Sequence, residues 1–289
     1  MVYPKVLVLR TAGTNCDAET VFAFESAGAV CERVHINRLI SGEKKLQDYQ
    51  ILALAGGFSY GDDIISGRIL ANELRLRLAD DLKRFISGGK LIIGICNGFQ
   101  VLVRAGILPG ALLPLRDSPL LANALGGREL PLASSATDNL IFTQTVTLTH
   151  NDSGKFEDRW VYLKPDGKCV WTQGLNEVIY LPVAHAEGKF VTLDQMLLKN
   201  LSDNGQIVFR YCDENGRKPV YPQNPNGAVD DIAGITDPTG RILGLMPHPE
   251  RHFLFLQHPS WTRQKKKEKF GDGAKIFENG VAYIKKNLI

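Results

Sequence analysis

The segment formed by residues 91–100 constrains the fold of this chain more than any other stretch of its sequence. An apolar run before Cys96 predicts a buried strand, and a helix-like pattern resumes at Phe99, so the cysteine falls on a sharp turn from strand to helix. Gly94 and Gly98 flank this cysteine, and glycine lets backbone segments pack closely together. The pattern predicts a nucleophile elbow, and the alternative is a small buried cysteine beside a close-packed turn.

A cysteine at such a turn lies near unpaired helix N–H groups, whose partial positive charge favours the thiolate that attacks carbonyl carbons. This nucleophile needs a proton carrier and a third group that holds the carrier in place. Residues 241–246 predict a short apolar strand that leads into a Pro-His-Pro-Glu segment with His248 and Glu250. Residues two apart in an extended chain point to the same side, and the prolines exclude a helix. His248 and Glu250 are therefore predicted to act together.

His185 and Glu187 repeat the same spacing, so two histidine–carboxylate pairs are candidates to serve Cys96. A zinc site formed by Cys96, His185, Glu187 and His248 is a further alternative, because zinc accepts these ligand types. These residues lack the short regular spacing that is typical of zinc motifs. The sequence therefore predicts no metal ion at the site.

A polar turn at residues 13–17 follows the first apolar strand of the chain. Asp17 is suited to cap the helix that is predicted to begin just after it. Cys16 has no glycine bracket like that of Cys96, so it is not predicted to be a second nucleophile.

Apolar strands and amphipathic helices alternate over residues 5–105, with one long helix predicted over 68–86. This alternation predicts an α/β fold with a largely parallel sheet, helices on both faces and chemistry at the carboxyl ends of the strands. The second half of the chain is richer in strands. With 289 residues, of which 44% are hydrophobic, the chain can bury one large core.

Several motifs resemble, in order along the chain, those of the class I (triad-type) glutamine amidotransferases, and most closely those of the glutaminase subunits of phosphoribosylformylglycinamidine synthase. The Asn-Gly-Phe triplet at residues 97–99 is the discriminating feature, since related amidotransferases tend to carry Leu-Gly-His or Leu-Gly-Met there. The other matching segments are residues 13–17, 56–62, 159–161, 182–188, 224–227 and 246–251.

The resemblance implies a three-layer α/β/α, flavodoxin-like fold with a mostly parallel central sheet and a strand-rich C-terminal part. It implies a single amidotransferase domain over residues 1–289, with an insertion at about 115–139. It also implies a catalytic triad of Cys96, His248 and Glu250, and it favours His248 over His185 as the base.

The resemblance further assigns the oxyanion hole to Gly57, Phe58 and the Asn97 amide. Removal of one such donor typically lowers the rate on the order of 100-fold or more. Gln100, together with His185 and Glu187, is expected to line the glutamine-binding or partner-facing cleft.

The implied reaction is hydrolysis of glutamine to glutamate and ammonia through a cysteine thioester. The chain has no GxxxxGK[ST] loop and no glycine-rich dinucleotide fingerprint. Ammonia released into neutral water is protonated and lost as a nucleophile, which implies a separate synthetase chain. By resemblance this partner is the large subunit that aminates formylglycinamide ribonucleotide, often with a small third subunit. ATP and magnesium are expected there, and no cofactor is expected in this chain.

A net charge of +3 is too small to argue for nucleic-acid binding, and no long apolar span indicates a membrane segment. Five scattered cysteines, an odd number, indicate a reducing cytoplasm rather than a disulfide framework. Two other classes of protein remain as alternatives. One is a stand-alone cysteine hydrolase or peptidase with the same elbow, and the other is a non-catalytic regulatory relative.

Overall fold

A computed structural model describes residues 2–62, 66–110, 142–166, 169–264 and 268–289. The insertion expected at about 115–139 lies outside these residues, so it stays a prediction, as does the single-domain organisation. No helix in the described ranges is long and apolar enough to cross a membrane.

Eleven strands are described. They are β1 (Lys5–Arg10), β2 (Val30–His35), β3 (Ile51–Leu54), β4 (Leu91–Ile95), β5 (Val146–Thr149), β6 (Glu157–Pro165), β7 (Ile179–His185), β8 (Lys189–Thr192), β9 (Ile207–Cys212), β10 (Ile232–Thr236) and β11 (Ile242–Leu245). The α-helices of the described part are α1 (Asp17–Ser26), α2 (Ile36–Ile40), α3 (Arg68–Arg77), α4 (Ala79–Ser87), α5 (Asn97–Arg104), α6 (Gln195–Asp203) and α7 (Ala274–Asn287).

Nine of the strands form one sheet in the order β2-β1-β3-β4-β11-β10-β9-β6-β7. The first five strands in this order, β2, β1, β3, β4 and β11, run parallel to one another. From β11 onward, each strand pairs antiparallel with the next, through β10, β9, β6 and β7. A separate antiparallel pair joins β5 and β8. Strands β3, β4 and β11 are buried at every residue, as expected where helices cover both faces of a parallel sheet.

The chain order places helices on both faces of the sheet. The crossover through α1 runs from β1 outward to β2, whereas the crossover through α3 and α4 runs from β3 in the opposite direction to β4. Parallel crossovers are almost always right-handed, so these two crossovers put their helices on opposite faces. Helix α7 packs with α1, and α5 packs with α3. This α/β architecture agrees with the predicted fold class.

The long helix predicted over residues 68–86 is two helices, which corrects the prediction made from the sequence. The chain leaves helical geometry at Leu78, where φ is −124° and ψ is 14°. Leu74, Leu78 and Leu82 are all almost completely buried. The change of direction at Leu78 allows both helices to place leucines in the core.

Strand order reverses at β1, whose neighbours are β2 and β3. Ligands of open α/β sheets bind outside the carboxyl ends of the strands at such a switch point. The loop after β1 and the loop after β3 meet here through a bridge between Thr14 and Gly57. The elbow after β4 follows next in the sheet, so the fold gathers three loops with predicted functional residues at one edge.

Candidate active site

Cys96 is the single residue between β4 and α5, and its backbone is strained, with φ of +51° and ψ of −106°. A non-glycine residue in a sparsely populated region costs about 1–3 kcal/mol and persists only where its surroundings hold it. Its N–H donates to the Leu245 carbonyl of β11 at 2.8 Å, and its carbonyl accepts from the Gln100 N–H at 3.1 Å. These two hydrogen bonds, to β11 and to α5, therefore hold the cysteine backbone in the geometry of a nucleophile elbow.

The two glycines beside Cys96 are required by close backbone contacts. A Cβ atom on Gly98 would lie 2.0 Å from the Leu54 carbonyl oxygen at the end of β3. A Cβ atom on Gly94 would lie 2.6 Å from the Gly98 carbonyl oxygen. Helix α5 thus begins in direct contact with two strands, and this contact aims its N-terminus at the strand ends.

We expect Gly98→Ala to destabilise the fold by about 3 kcal/mol or more, because the added methyl group forces backbone apart at the elbow. The measurement is urea denaturation at equilibrium. Gly42→Ala is the control: its Cβ would meet nothing within 4 Å, so its cost comes from its φ of +77° alone, whereas Gly98 lies in helix α5 and its cost comes from the close backbone contact. The control is expected to cost about 1–2 kcal/mol. Equal losses in the two variants would contradict this account of the elbow.

His248 and Glu250 follow β11 and are both buried. The N–H of His248 donates to the Pro182 carbonyl at 2.8 Å, which attaches this loop to β7. Its ring Nδ1 lies 2.6 Å from Glu250 Oε1. A carboxylate on Nδ1 holds the proton on that nitrogen, so Nε2 is the atom left for proton exchange in the neutral ring.

The charge on His248 follows from its neighbours. Burial by itself lowers the pKa of His248, but the Glu250 carboxylate and the sulfurs of Cys96 and Cys16 raise this pKa well above its usual value. The sulfur of Cys96 also donates to the Ala184 carbonyl of β7 at 3.6 Å. The site therefore favours a protonated imidazole next to the cysteine.

The predicted oxyanion loop is held on both sides. Gly57 has φ of +137°, and a Cβ atom there would lie 2.7 Å from both the Asn15 nitrogen and the Gly13 oxygen. On the other side, the Ser59 N–H donates to the Asn97 side-chain oxygen at 3.3 Å. The loop after β3 is thus fixed between the 13–15 turn and the first residue of α5.

Phe58 requires a correction to its predicted role. Its N–H donates to the Gly13 carbonyl oxygen at 2.9 Å, so this donor is already used within the loop. The direction of an N–H group depends on backbone dihedral angles that the sequence motif does not specify. Gly57 and Asn97 remain the predicted oxyanion donors.

His185 and Glu187 do not repeat the geometry of His248 and Glu250. The ring Nδ1 of His185 lies 3.2 Å from the Asn151 side-chain oxygen, while Glu187 forms an ion pair with Arg104 at 3.5 Å. Strand β7 ends at His185, so the extended geometry that would align the two side chains stops there. His185 therefore has Asn151 rather than a carboxylate on its Nδ1.

Gln100 connects the elbow to the loop after β7. Its side-chain nitrogen donates to the Glu187 backbone carbonyl at 2.6 Å. Its side-chain oxygen accepts from the side-chain amide nitrogen of Asn97 at 3.0 Å. Gln100 is buried, with 3% of its surface exposed, so both contacts are protected from water. The structure thus brings Gln100 and the backbone of Glu187 to the elbow and turns the Glu187 carboxylate towards Arg104.

The fold of this chain is expected to lose stability as His185 is forced to take up a proton. Burial, and to a lesser extent the nearby charge of His248, lowers the pKa of His185 from 6.5 to about 4. Between these two values the unfolded chain binds more protons, so stability present above pH 6.5 is lost as the pH falls towards 4. A shift of this size corresponds to about 3 kcal/mol.

The measurement is the free energy of unfolding in urea at pH 7.5 and pH 4.5, for the wild-type chain and for His185→Gln. Other groups titrate equally in both proteins, so the difference isolates His185. We expect the wild-type chain to lose about 2–3 kcal/mol more than the variant. An identical loss in the two proteins would mean that His185 is not held neutral by the fold.

Tyr211 and Asn226 form a buried hydrogen-bonded pair to which the sequence assigned no role. Tyr211 is buried on β9, and its hydroxyl accepts from the Asn226 side chain at 3.1 Å. Burial, with a smaller contribution from Cys96, raises the pKa of Tyr211 above its usual value. Asn226 belongs to a motif quoted from the sequence, but Tyr211 occupies an ordinary strand pattern.

Among the described residues, one cluster has metal-ligand spacing, and it consists of Cys16, His248 and Glu250. The zinc site that the sequence left as an alternative, with Cys96, His185, Glu187 and His248, is not assembled, since the Glu187 carboxylate pairs with Arg104. Cys16 comes from the turn after β1, which the sequence did not connect with the triad.

This fold, with its elbow after a central strand, is that of a glutamine amidotransferase, and the family model of the CobB/CobQ-like glutamine amidotransferase domain matches residues 3–284. A phosphoribosylformylglycinamidine synthase subunit PurQ from Dehalococcoides mccartyi is 48% identical over 97% of this chain and 98% of its own length. A PurQ subunit from Methanococcus maripaludis is 44% identical over 99% of both chains. The chain belongs to the family of phosphoribosylformylglycinamidine synthase PurQ subunits.

Solved structures agree with this membership. A chain of the PurLQS structure from Thermotoga maritima has a TM-score of 0.67 and 29% identity, and the match covers 98% of this chain and all of that one. A Thermoplasma acidophilum protein described as a GMP synthase component, at 14% identity and a TM-score of 0.51, shares the fold alone over 99% of this chain and 96% of its own. The predictions of the fold class and of a glutamine amidotransferase, the glutaminase subunit of phosphoribosylformylglycinamidine synthase, are confirmed.

Proposed function

We propose that this chain hydrolyses glutamine with Cys96 as the nucleophile, His248 as the proton carrier and Glu250 as the group that orients His248, and that it delivers ammonia to a synthetase subunit. The observation that carries the proposal is the buried His248–Glu250 contact of 2.6 Å beside the strained elbow cysteine. The loops after β3 and β7, which surround this contact, supply the other groups of the proposed site.

In the first step the proton of the Cys96 thiol passes to Nε2 of His248, and the resulting thiolate attacks the carboxamide carbon of the glutamine side chain. The carbon–sulfur bond forms while the carbonyl π electrons move to oxygen. Collapse of this intermediate breaks the carbon–nitrogen bond, and the protonated ring of His248 gives its Nε2 proton to the departing nitrogen. The products of this step are ammonia and a glutamyl thioester on Cys96.

The negative oxygen of the intermediate is stabilised by the backbone N–H groups of Gly57 and Asn97. Asn97 is the first residue of α5, so its N–H lies at the positive end of the helix dipole. The contact of its side chain with the Ser59 N–H keeps the two donor segments together. These donors need no rearrangement when the charge develops, which is the property that makes such a hole effective.

The second step returns the enzyme to its starting state. With ammonia gone, His248 is neutral and takes a proton from water through Nε2, while Glu250 stabilises the imidazolium that forms. The hydroxide attacks the thioester carbon, and the carbon–sulfur bond breaks to give glutamate and the Cys96 thiolate. Gln100 and His185, together with the Glu187 backbone, are proposed to border the cleft in which glutamine binds.

A separate synthetase subunit is proposed to receive the ammonia and to convert formylglycinamide ribonucleotide to its amidine with ATP and magnesium. Ammonia is a nucleophile only when unprotonated, which favours direct transfer over release into water. The PurLQS name of the Thermotoga maritima structure supports a large partner and a small third subunit. All five cysteines are free thiols, which supports the proposed cytoplasmic location.

The test is ammonia release from glutamine by the chain alone and with the candidate synthetase, ATP and ribonucleotide. Rapid acid quenching of the complex, followed by intact mass measurement, is expected to show a glutamyl adduct on Cys96. Cys212→Ala is the matched control, because Cys212 is also buried but lies in β9 away from the elbow. Hydrolysis of peptides or esters without the partner, and no ammonia from glutamine in the complex, would favour a stand-alone cysteine hydrolase.

A further inference from the structure

Cys16 lies beside the proposed catalytic pair although it comes from the turn after β1, far from Cys96 in the sequence. It is 1% exposed, and its N–H donates to the Gly56 carbonyl at 3.2 Å. A Cβ atom on Gly56 would lie 3.2 Å from the Cys16 sulfur and 2.8 Å from a ring carbon of His248. The absence of a side chain at Gly56 therefore leaves the sulfur and the imidazole facing one another.

The donor atoms of this cluster have the spacing of metal ligands. One donor atom from each of Cys16, His248 and Glu250 lies within 4.8 Å of the other two. Ligands of one tetrahedral zinc ion lie roughly 3.5 Å apart, so a small rotation of the side chains brings them into range. The backbone segments that carry them are held by hydrogen bonds to Gly56 and Pro182 and need not move.

Two polar atoms of the cluster are buried without a hydrogen-bond partner among the described residues. They are Nε2 of His248 and Oε2 of Glu250, in side chains that are at most 2% exposed. Buried polar atoms are normally paired, and an unpaired one indicates a function or a missing ligand. The first atom is accounted for by proton transfer, whereas the second has no part in the proposed reaction.

We propose that Cys16, His248 and Glu250 form a binding site for a thiophilic divalent cation of the zinc and cadmium class, and that its occupancy stops glutamine hydrolysis. Thiolate, imidazole and carboxylate are all zinc ligands. The cation replaces the thiol proton of Cys16 and the proton on the ring nitrogen of His248 that becomes its ligand, and both protons pass to the buffer. The thiolate and the carboxylate then balance the two charges of the ion.

Occupancy stops the reaction because it withdraws both Glu250 and the His248 ring from proton transfer. This inhibitory part rests on the proposed catalytic roles of the two residues, while the binding part does not. Cys96 is not a member of the cluster, so the ion binds beside the nucleophile rather than on it.

Arg251 is expected to make the site selective for cations with affinity for sulfur. Its guanidinium donates to the Cys16 sulfur at 3.1 Å and lies 3.4 Å from a Glu19 carboxylate oxygen. A bound cation takes over the sulfur, and the guanidinium keeps Glu19 as its partner. The positive charge of Arg251 opposes a cation that lacks affinity for sulfur, so magnesium is not expected to bind.

The experiment titrates the full-length chain with cadmium chloride and follows the ultraviolet sulfur-to-cadmium charge-transfer band. The wild-type chain and Cys96→Ser are expected to give the same band with one equivalent of cadmium, and Cys16→Ser is expected to lose it. Removal of a ligand is expected to weaken binding by at least about tenfold, since even an outer-shell contact typically contributes this much. Loss of the band in Cys96→Ser, or its retention in Cys16→Ser, would overturn the assignment.

Folding of each variant is checked by circular dichroism. Glu250→Gln serves as a second variant, because it keeps the sulfur and removes the carboxylate. It is expected to retain the band with about tenfold weaker binding, and unchanged affinity would remove Glu250 from the site.

The inhibition is measured as ammonia release in the complex with zinc added, relative to the rate of each protein without metal. Because the synthetase is the same in every sample, a shift in the half-inhibiting zinc concentration reports on this chain. Cys16→Ser is expected to need at least about tenfold more zinc than wild type. If cadmium binding depends on Cys16 but zinc does not inhibit the reaction, the inhibitory role is overturned while the assignment of the metal site stands. Failure of the proposed reaction is seen separately, as a lack of effect of Cys96 variants without metal.

Discussion

Cys96→Ala is expected to lower glutamine hydrolysis in the complex by at least about 1,000-fold, because no other group can form the thioester. Among the described residues, the elbow carries no second cysteine that could replace this nucleophile. The other sulfur close to His248 is that of Cys16, and burial raises the pKa of this thiol and keeps it neutral. Supplied ammonia is expected to restore amination by the synthetase, since the variant loses only the hydrolysis of glutamine.

The strain at Cys96 gives this prediction a second readout. Cys96→Gly removes the nucleophile and also relieves the φ of +51° that glycine adopts freely. It is expected to be inactive and yet about 1 kcal/mol more stable than Cys96→Ala in urea denaturation. Activity in either variant would remove Cys96 from the proposed mechanism, and equal stabilities would mean that the elbow stores no backbone strain.

Glu250→Gln is expected to lower turnover by about 1,000-fold, with little change in the binding of glutamine. In a Ser-His-Asp triad the corresponding change to an amide lowers turnover by about 10,000-fold, because the histidine adopts the wrong tautomer. Here the carboxylate lies 2.6 Å from Nδ1, and both side chains are buried. A neutral amide removes the charge that opposes the effect of burial, so the pKa of His248 falls in the variant.

This change separates an orienting role from a merely structural one. Titration of His248 by NMR is expected to show a lower pKa in Glu250→Gln than in the wild-type chain. Glu19→Gln is the control, since its carboxylate pairs with Arg251 and is not hydrogen-bonded to His248. The control is expected to retain activity within about threefold, as is usual for an exposed ion pair. A loss of turnover in Glu250→Gln without a shift of the His248 pKa would contradict the proposed coupling.

Local patterns in the sequence predicted the turn at Cys96 and the contact between His248 and Glu250, whereas the preference for this pair over His185 and Glu187 came from the family resemblance. The glycines around Cys96 predict a tight turn because only glycine fits where α5 touches β3, and this contact is present at Gly98. The Pro-His-Pro-Glu segment predicts that the side chains of His248 and Glu250 point to the same side. The reason is that the two prolines restrict the backbone dihedral angles of this short segment. Each of these predictions depends on neighbours along the chain.

The same reasoning failed where the outcome depended on contacts between distant segments. Glu187 has the same spacing from its histidine as Glu250 has, but β7 ends first and Arg104 takes the carboxylate. The N–H of Phe58 is taken by Gly13, which is brought alongside by the order of β1 and β3 in the sheet.

The sequence by itself determined the alternation of strands and helices, the turn at Cys96 and the pairing of His248 with Glu250. These features follow from backbone sterics and from periodicities of a few residues. Only the tertiary structure decided that the Phe58 N–H is taken by Gly13, and that Cys16 approaches His248 and Glu250. Those outcomes depend on which strands lie side by side. The contacts of these groups come from segments that are neighbours in the sheet and are distant in the chain.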